Sequence, residues 1–239
     1  LSQVFILKKK SVIMMDRQWT LKVECKSIYV VKIEIVNIDH SKEILKELDP
    51  GLIRLLDGFE IDDLIPEKNY FKSLIRSIIY QQLSGASAKA IHDRFISIYD
   101  NDAYPTPKQV LRTQLETLHS IGLSKFKAKY VHNIAEAFIN DPIKYETLDQ
   151  QKDEDIIDIL IEVKGVGLWT AQMFLMFTLN RPDVFPATDL ALQKGFKFYF
   201  GLGQLPKVNE MIEMSQKWRP HRTTVSLFLW RTLEGPFEW

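Results

Sequence analysis

Cysteine is nearly absent from this sequence. Cys25 is the only one among 239 residues, which excludes an internal disulfide framework, a cysteine-based zinc site and a four-cysteine iron–sulfur cluster. Long hydrophobic runs are also missing, because the longest, around "MFLMF", is far shorter than the roughly 20 residues of a membrane span. The first 19 residues lack the apolar stretch and cleavage site of a signal peptide. We therefore expect a soluble, intracellular protein that does not contact a membrane.

Neither sign of charge dominates the sequence. The 31 Lys and Arg residues balance the 31 Asp and Glu residues, and this balance alone argues against a nucleic-acid partner. The distribution is nevertheless uneven, since acids outnumber bases over residues 39–68 and residues 215–233 contain no acid. The basic side chains of this second segment are Lys217, Arg219, Arg222 and Arg231. Clustering on a solvated face and an anion-binding surface both remain open.

Helical periodicity is the main feature that is present. Residues 19–36 alternate apolar and polar side chains and are rich in Val and Ile, which predicts one or two strands. From residue 37 onward, apolar residues recur at helical spacing in segments separated by turn residues. Two of these predicted helical segments cover residues 69–99 and about 168–179. We expect a mainly α fold with a small extended N-terminal segment. The predicted division is an extension of unknown function over 1–36 and a helical domain over 37–239.

The segment "DEDIIDILIEVKGVGLWTAQMFLMFTL" predicts two helices joined by a tight turn, over residues 155–179. Gly165 and Gly167 in this turn allow the backbone to approach a ligand closely. The N–H groups that open the second helix lie at the positive end of its dipole, where a phosphate is the natural ligand. The alternative is that the glycines serve only the turn between two helices.

The longer stretch "VKGVGLWTAQMFLMFTLNRPDVFPATDLALQKGF" resembles the signature of the helix-hairpin-helix DNA glycosylases, and is most similar to the 3-methyladenine DNA glycosylase II type. "LDPGLIRLL", "FKSLIRSIIYQQLSGASAKAI", "IGLSKFKAKYVHNIAEAF" and "KWRPHRTTVSLFLW" follow in the family's order, so the resemblance covers residues 37–239. It implies a two-lobed all-helical fold and an enzyme that removes alkylated bases from double-stranded DNA, without a cofactor.

The resemblance also implies the cellular setting. We expect a monomer whose abasic product passes to a downstream abasic-site endonuclease. It would work in the nucleus of a eukaryote, or in the cytoplasm and nucleoid of a prokaryote. Two alternatives remain open: a glycosylase for a deaminated or mismatched base, and a non-catalytic DNA-binding module.

Asp189 occupies the position of the family's essential aspartate. Cleavage of the bond between base and sugar passes through an oxocarbenium-like state, which a preorganised carboxylate stabilises. Alkylated purines carry a positive charge and leave without a strong general acid. Asp189 or Thr188 also suits the N-cap of a helix starting near Leu190, and both roles are compatible. Relatives often carry two acids here, and Thr188 replaces the first of them.

Trp169 stands where relatives that also cut the strand carry a nucleophilic lysine. We therefore predict a monofunctional glycosylase that forms no Schiff base. Trp169 would provide an aromatic wall for the damaged base, although packing in the core would equally explain it. The resemblance adds four further residues to the base pocket: Tyr80, Met173, Trp218 and His221. Trp218 and Trp230 are also consistent with core positions.

The remaining expectations concern DNA contacts. Gln82, and next Leu83, match the family's wedge, the side chain that fills the gap left by a flipped base; exposed glutamines at a helix end are the alternative. Phosphates would be held by the turn and by nearby lysines, namely Lys164, Gly165, Val166, Gly167, Lys125 and Lys127. Some relatives hold a monovalent cation at the carbonyls of this turn. No metal is expected in the chemistry.

Overall fold

The computed structural model describes residues 13–15, 18–20, 36–83, 85–99 and 103–233. The chain divides into two compact units, Leu1–Ile35 and Val36–Trp239. In the first unit, strands β1 (Ile13–Met15) and β2 (Gln18–Thr20) pair antiparallel. The strands predicted over 19–36 otherwise fall on residues 21–35, outside the described residues. The two domains proposed from sequence stay predictions.

The second unit is helical, which confirms the mainly α fold class. Its α-helices are α1 (Ile38–Leu48), α2 (Ile53–Leu56), α3 (Tyr70–Tyr80), α4 (Gly85–Ser97), α5 (Pro107–Arg112), α6 (Leu115–Ser120), α7 (Lys125–Asn140), α8 (Pro142–Glu146), α9 (Asp153–Ile161), α10 (Leu168–Met173), α11 (Leu190–Tyr199), α12 (Val208–Ser215) and α13 (Arg222–Arg231). Short 3₁₀ turns cover Pro50–Leu52, Leu148–Gln150 and Gln216–Trp218. No helix in the described ranges is long and apolar enough to cross a membrane.

Polar side chains start many of these helices. Asn37, Asn69, Ser124 and Asp141 each accept a hydrogen bond from the backbone N–H three residues further on. Thr106 forms a reciprocal capping box at the start of α5. Such bonds satisfy N–H groups that the helix itself leaves without a partner, and each stabilises the helix by about 1 kcal/mol. Local sequence therefore fixes where the helices begin.

The helices form two groups, here called the first and second lobes. In the first lobe, α3 to α10 pack around α3 and α7. In the second lobe, α11 pairs with α13, and α13 packs on α1 and α2. The loop between α10 and α11 connects the lobes, so the start of α11 lies at their junction.

Two predicted helical segments are interrupted. The segment over 69–99 breaks after Tyr80, because Gln82 adopts the left-handed conformation with φ of 57°. The predicted helix over 168–179 changes at Phe174 to a π-helical segment, Phe174–Thr178. Irregular helix turns of both kinds are frequent at functional sites.

Candidate active site

The carboxylate of Asp189 accepts hydrogen bonds from three directions. Its Oδ1 accepts from the backbone N–H of Leu192 at 2.7 Å and from Nε1 of Trp230 at 2.9 Å. Its Oδ2 accepts from Nε1 of Trp169 at 2.8 Å. Asp189 is the N-cap of α11 and is half-buried. The structure therefore gives it the predicted cap position, within a larger set of donors.

Three different helices supply these donors. Trp169 is in α10, Trp230 is in α13 of the second lobe, and Leu192 is in α11. Because both indoles are held by helices on either side of the junction, the orientation of the carboxylate is fixed before any ligand arrives. The arrangement matches the preorganisation that transition-state stabilisation requires.

All three described donors to Asp189 are uncharged. Among the described residues, no Lys or Arg forms an ion pair with Asp189. Neutral donors orient the carboxylate without forming an ion pair that would compensate its charge. The site can therefore present a negative charge to a cation that forms beside it.

Two cavities adjoin α10 and the π-helical segment that follows it. Trp169, Met173 and Phe177 follow at intervals of four residues, so they lie on one helix face. Met173 and Phe177 line a cavity of about 290 Å³ together with Arg76. Phe177 and Trp230, whose rings stack with centroids 6.2 Å apart, line a second cavity of about 350 Å³. Met173 thus borders an open space, as a pocket residue must.

The other predicted pocket residues are placed differently. Trp218 is predicted as a pocket residue, but its side chain is 0% exposed, and its Nε1 donates to Oδ2 of Asp49 at 2.8 Å. It is a core residue of the second lobe. Tyr80 is half-buried, with the Arg76 guanidinium 5.0 Å from the centre of its ring. His221 Nδ1 lies 3.0 Å from Ser41 Oγ.

The two glycines in the turn between α9 and α10 have different roles. Gly165 has φ of +111°, and a Cβ there would lie 2.2 Å from the ring of Tyr130, so this glycine is required for packing. Gly167 is exposed, and a Cβ there would meet nothing within 4 Å. The backbone near Gly167 is thus accessible from outside. The carbonyl of Lys164 accepts a hydrogen bond from Asn133 at 2.8 Å, which ties the turn to α7.

The predicted wedge residues lie on an exposed turn. Gln82 and Leu83 are both exposed, and Leu83 is 41% exposed. The neighbouring Gln81 donates from Nε2 to Oγ1 of Thr170 at 3.0 Å, so this turn contacts the helix that carries Trp169. The turn with the predicted wedge residues is therefore hydrogen-bonded to α10, the helix that carries Trp169.

Several of the basic side chains that could bind phosphate already have partners within the protein. Lys217 forms an ion pair with Asp49, and Arg219 and Arg222 both pair with Asp183. Lys127, predicted to hold phosphate, is half-buried and donates instead to two backbone carbonyls. Of the lysines predicted to bind phosphate, Lys125 and Lys164 are exposed.

Metal ligands are not grouped in this part of the chain. In the described residues, no three His, Cys, Asp or Glu side chains lie together in a way that could hold a metal ion.

Comparison with known proteins gives the family. Residues 75–221 match the model of the HhH-GPD superfamily base excision DNA repair proteins. The chain belongs to this superfamily. It is 37% identical over 168 residues to the alkylbase DNA glycosidase-like protein mag2 of Schizosaccharomyces pombe, covering 70% of this chain and 79% of mag2. It is 34% identical over 183 residues to DNA-3-methyladenine glycosylase 1 of the same yeast, covering 76% of this chain and 80% of that protein.

A solved structure supports the same assignment to the HhH-GPD superfamily. The 3-methyladenine DNA glycosylase Mag1 of Schizosaccharomyces pombe, in complex with abasic DNA, superimposes with a TM-score of 0.74. The sequences are 34% identical, and the match covers 81% of this chain and 96% of Mag1. The all-helical fold expected from the resemblance is therefore confirmed.

Sequence reasoning missed one member of the site in this HhH-GPD chain. Trp230 was considered only as a core residue, yet its indole reaches Asp189 from 41 positions along the chain. The available signal was general: a buried indole N–H needs an acceptor. The sequence contains five Trp residues, and nothing in their spacing indicates which of them meets which carboxylate.

Proposed function

We propose that this protein is a monofunctional DNA glycosylase that hydrolyses the N-glycosidic bond of alkylated bases in double-stranded DNA. Bases of the 3-methyladenine and 7-methylguanine type would be released, and an abasic site would remain. Membership of the HhH-GPD superfamily and the names of the two yeast relatives support the reaction class. The observation that carries the proposal is the Asp189 carboxylate held by two indoles and a helix start.

Asp189 would act on the sugar side of the bond. As the base departs, positive charge develops on the deoxyribose, and the oriented carboxylate stabilises it. Its described donors are neutral, so no cation among the described residues is paired with the carboxylate in place of the sugar. The leaving base already carries a positive charge when it is alkylated, so one carboxylate suffices.

Trp169 supports the monofunctional assignment. An indole at this position cannot attack the sugar as an amine, so no covalent intermediate forms with the chain there. Its N–H donates to Asp189, and it lies in the same helix as Met173, which lines a cavity. The abasic product would then be handed to a separate abasic-site endonuclease, and the glycosylase would act as a monomer.

DNA would be bound at the exposed turns. Gln82 and Leu83 are exposed and are connected to the Trp169 helix through Gln81 and Thr170, which suits a wedge that fills the space of the flipped base. Phosphates would meet the backbone near Gly167, with Lys125 and Lys164 adding charge. A monovalent cation at the carbonyls of this turn stays part of the proposal.

The test is release of free base from methylated duplex DNA, separated by chromatography. We expect wild type to release 3-methyladenine or 7-methylguanine, and Asp189→Asn to release base about 10²–10³-fold more slowly while still binding duplex. Glu213→Gln, which removes an exposed carboxylate of α12, is the matched control.

Three results would decide otherwise. Binding of duplex without base release by wild type would favour a non-catalytic module. Release of only deaminated or mismatched bases would change the lesion class. Equal rates for wild type and Asp189→Asn would reduce Asp189 to a helix cap.

A further inference from the structure

The ammonium of Lys127 is directed at the end of α3. Its Nζ donates to the carbonyl oxygen of Ile79 at 2.8 Å and to that of Gln81 at 2.6 Å. The carbonyls that end a helix have no partner within it and carry partial negative charge, so a cation stabilises them. Lys127 therefore closes α3 from a helix that lies 46 residues further along the chain.

The turn that follows α3 is the one that carries Gln82 and Leu83. Gln82 has φ of 57°, a left-handed conformation that residues other than glycine adopt rarely. It persists only where the surroundings hold it. Within the turn, the backbone N–H of Leu83 donates to the carbonyl oxygen of Tyr80 at 3.4 Å. From other helices, Lys127 donates to the Gln81 carbonyl, and Thr170 accepts from the Gln81 side chain.

The two hydrogen bonds of Lys127 also limit its ability to bind a DNA phosphate. Bonds from an ammonium to carbonyl oxygens at these distances are strong, charge-assisted ones. Partial burial lowers the pKa of Lys127, because the charged form loses part of its hydration there. The ammonium of half-buried Lys127 is bound to the turn, whereas Lys125 and Lys129 of the same helix are exposed.

We propose that Lys127 is a positioning residue that holds the turn carrying Gln82 and Leu83 in the conformation that enters DNA. This inference rests on the proposed function, because it assigns the wedge to that turn. Lys127 acts through the backbone of Gln81, without touching the base or a phosphate. Without it, the chain at Gln82 would relax to commoner conformations, and the wedge would lose its direction.

The test measures wedge insertion separately from base release. The probe is a duplex with 2-aminopurine beside a tetrahydrofuran abasic-site analogue, which needs no catalysis. We expect Lys127→Met to bind this duplex with the salt dependence of wild type but to lose most of the fluorescence change at saturation. Release of methylated base from duplex should fall about tenfold or more, the loss expected from one or two charge-assisted bonds.

Two variants serve as controls. Lys129→Met removes an exposed lysine of the same helix and should match wild type. Lys127→Arg keeps the charge and the donors and should restore most of the fluorescence change. If Lys127→Met gives too little folded protein, Lys127→Gln, which keeps one donor group, replaces it.

Other outcomes would overturn the proposal. A fluorescence change equal to that of wild type, with a salt slope lower by about one, would make Lys127 a phosphate contact. Failure of Lys127→Arg to restore any signal would also reject it. If wild type gives the fluorescence change but releases no base, the proposed catalytic function fails and the proposal for Lys127 stands.

Discussion

Asp49, in the second lobe, and Asp189, at the junction of the lobes, have closely similar surroundings. Each accepts a hydrogen bond from an indole, and each caps the start of a helical turn. The difference lies in the remaining partner. Asp49 also forms an ion pair with Lys217 at 2.8 Å, whereas Asp189 accepts from a second indole, that of Trp169.

This difference separates a structural carboxylate from one that is available for chemistry. Burial alone would raise the pKa of Asp49, but the hydrogen bonds from Lys217 and Trp218 and the charge of Lys217 outweigh it and lower the pKa. The charge of Asp49 is therefore compensated within the fold. The charge of Asp189 is oriented by neutral donors and can be compensated by a bound cation instead.

Among the variants that test this comparison through stability, Asp49→Asn is expected to have the largest effect. An amide cannot pair with Lys217, and it would leave the buried Trp218 indole with a weaker acceptor. We expect the free energy of unfolding to fall by about 2–3 kcal/mol, measured by urea denaturation. Base release per folded molecule should be unchanged. A loss of release without a loss of stability would give Asp49 a chemical role.

Replacing the indoles one at a time is expected to have the next largest effect. Trp169→Phe and Trp230→Phe each remove one donor from Asp189 and keep a ring, so single-turnover release should slow by about tenfold, or about 1.4 kcal/mol. Trp218→Phe makes the same change at Asp49 and should lower stability with little effect on the rate. Equal rate losses in all three variants would break the comparison.

Removing the Lys217 side chain, which forms the ion pair with Asp49, should have a smaller effect on stability. The side chain of Lys217 is 50% exposed, so solvent screens its ion pair. We expect Lys217→Met to lower the free energy of unfolding by about 0.5–1 kcal/mol. Thermal unfolding at low and high salt provides the measurement. The difference from wild type should shrink as salt increases.

The smallest expected effect is on how the free energy of unfolding changes at acid pH. Because the pKa of Asp49 is lower in the folded state, its contribution is fully present above its ordinary pKa of about 3.9 and is lost as pH falls through the folded value. Urea unfolding between about pH 5 and pH 2.5 should show stability falling more steeply for wild type than for Asp49→Asn. Parallel curves would contradict the assignment of this pKa.

Much of the fold could be predicted from local sequence. The two helices around Gly165 and the cap at Asp189 follow from periodicity and from the preference of Asp for helix starts. The left-handed conformation of Gln82 could not be predicted, because nothing in the local sequence shows the contacts of this turn with α7 and α10.

The site was less predictable than the fold for the same reason. Trp218 and Trp230 lie twelve positions apart and look alike in the sequence, yet they donate to Asp49 and Asp189 respectively. Which indole meets which carboxylate depends on how α13 packs against α11. The sequence predicts a phosphate ligand at Lys127, because nothing local shows that its ammonium reaches the end of α3.

The most direct measurement is single-turnover base release from one methylated duplex by Asp189→Asn and Asp49→Asn, side by side, at saturating enzyme. The account predicts a rate about 10²–10³-fold below wild type for Asp189→Asn and a rate equal to wild type for Asp49→Asn, with the larger loss of stability in Asp49→Asn. Equal rates for the two variants, or a slower rate for Asp49→Asn, would contradict it.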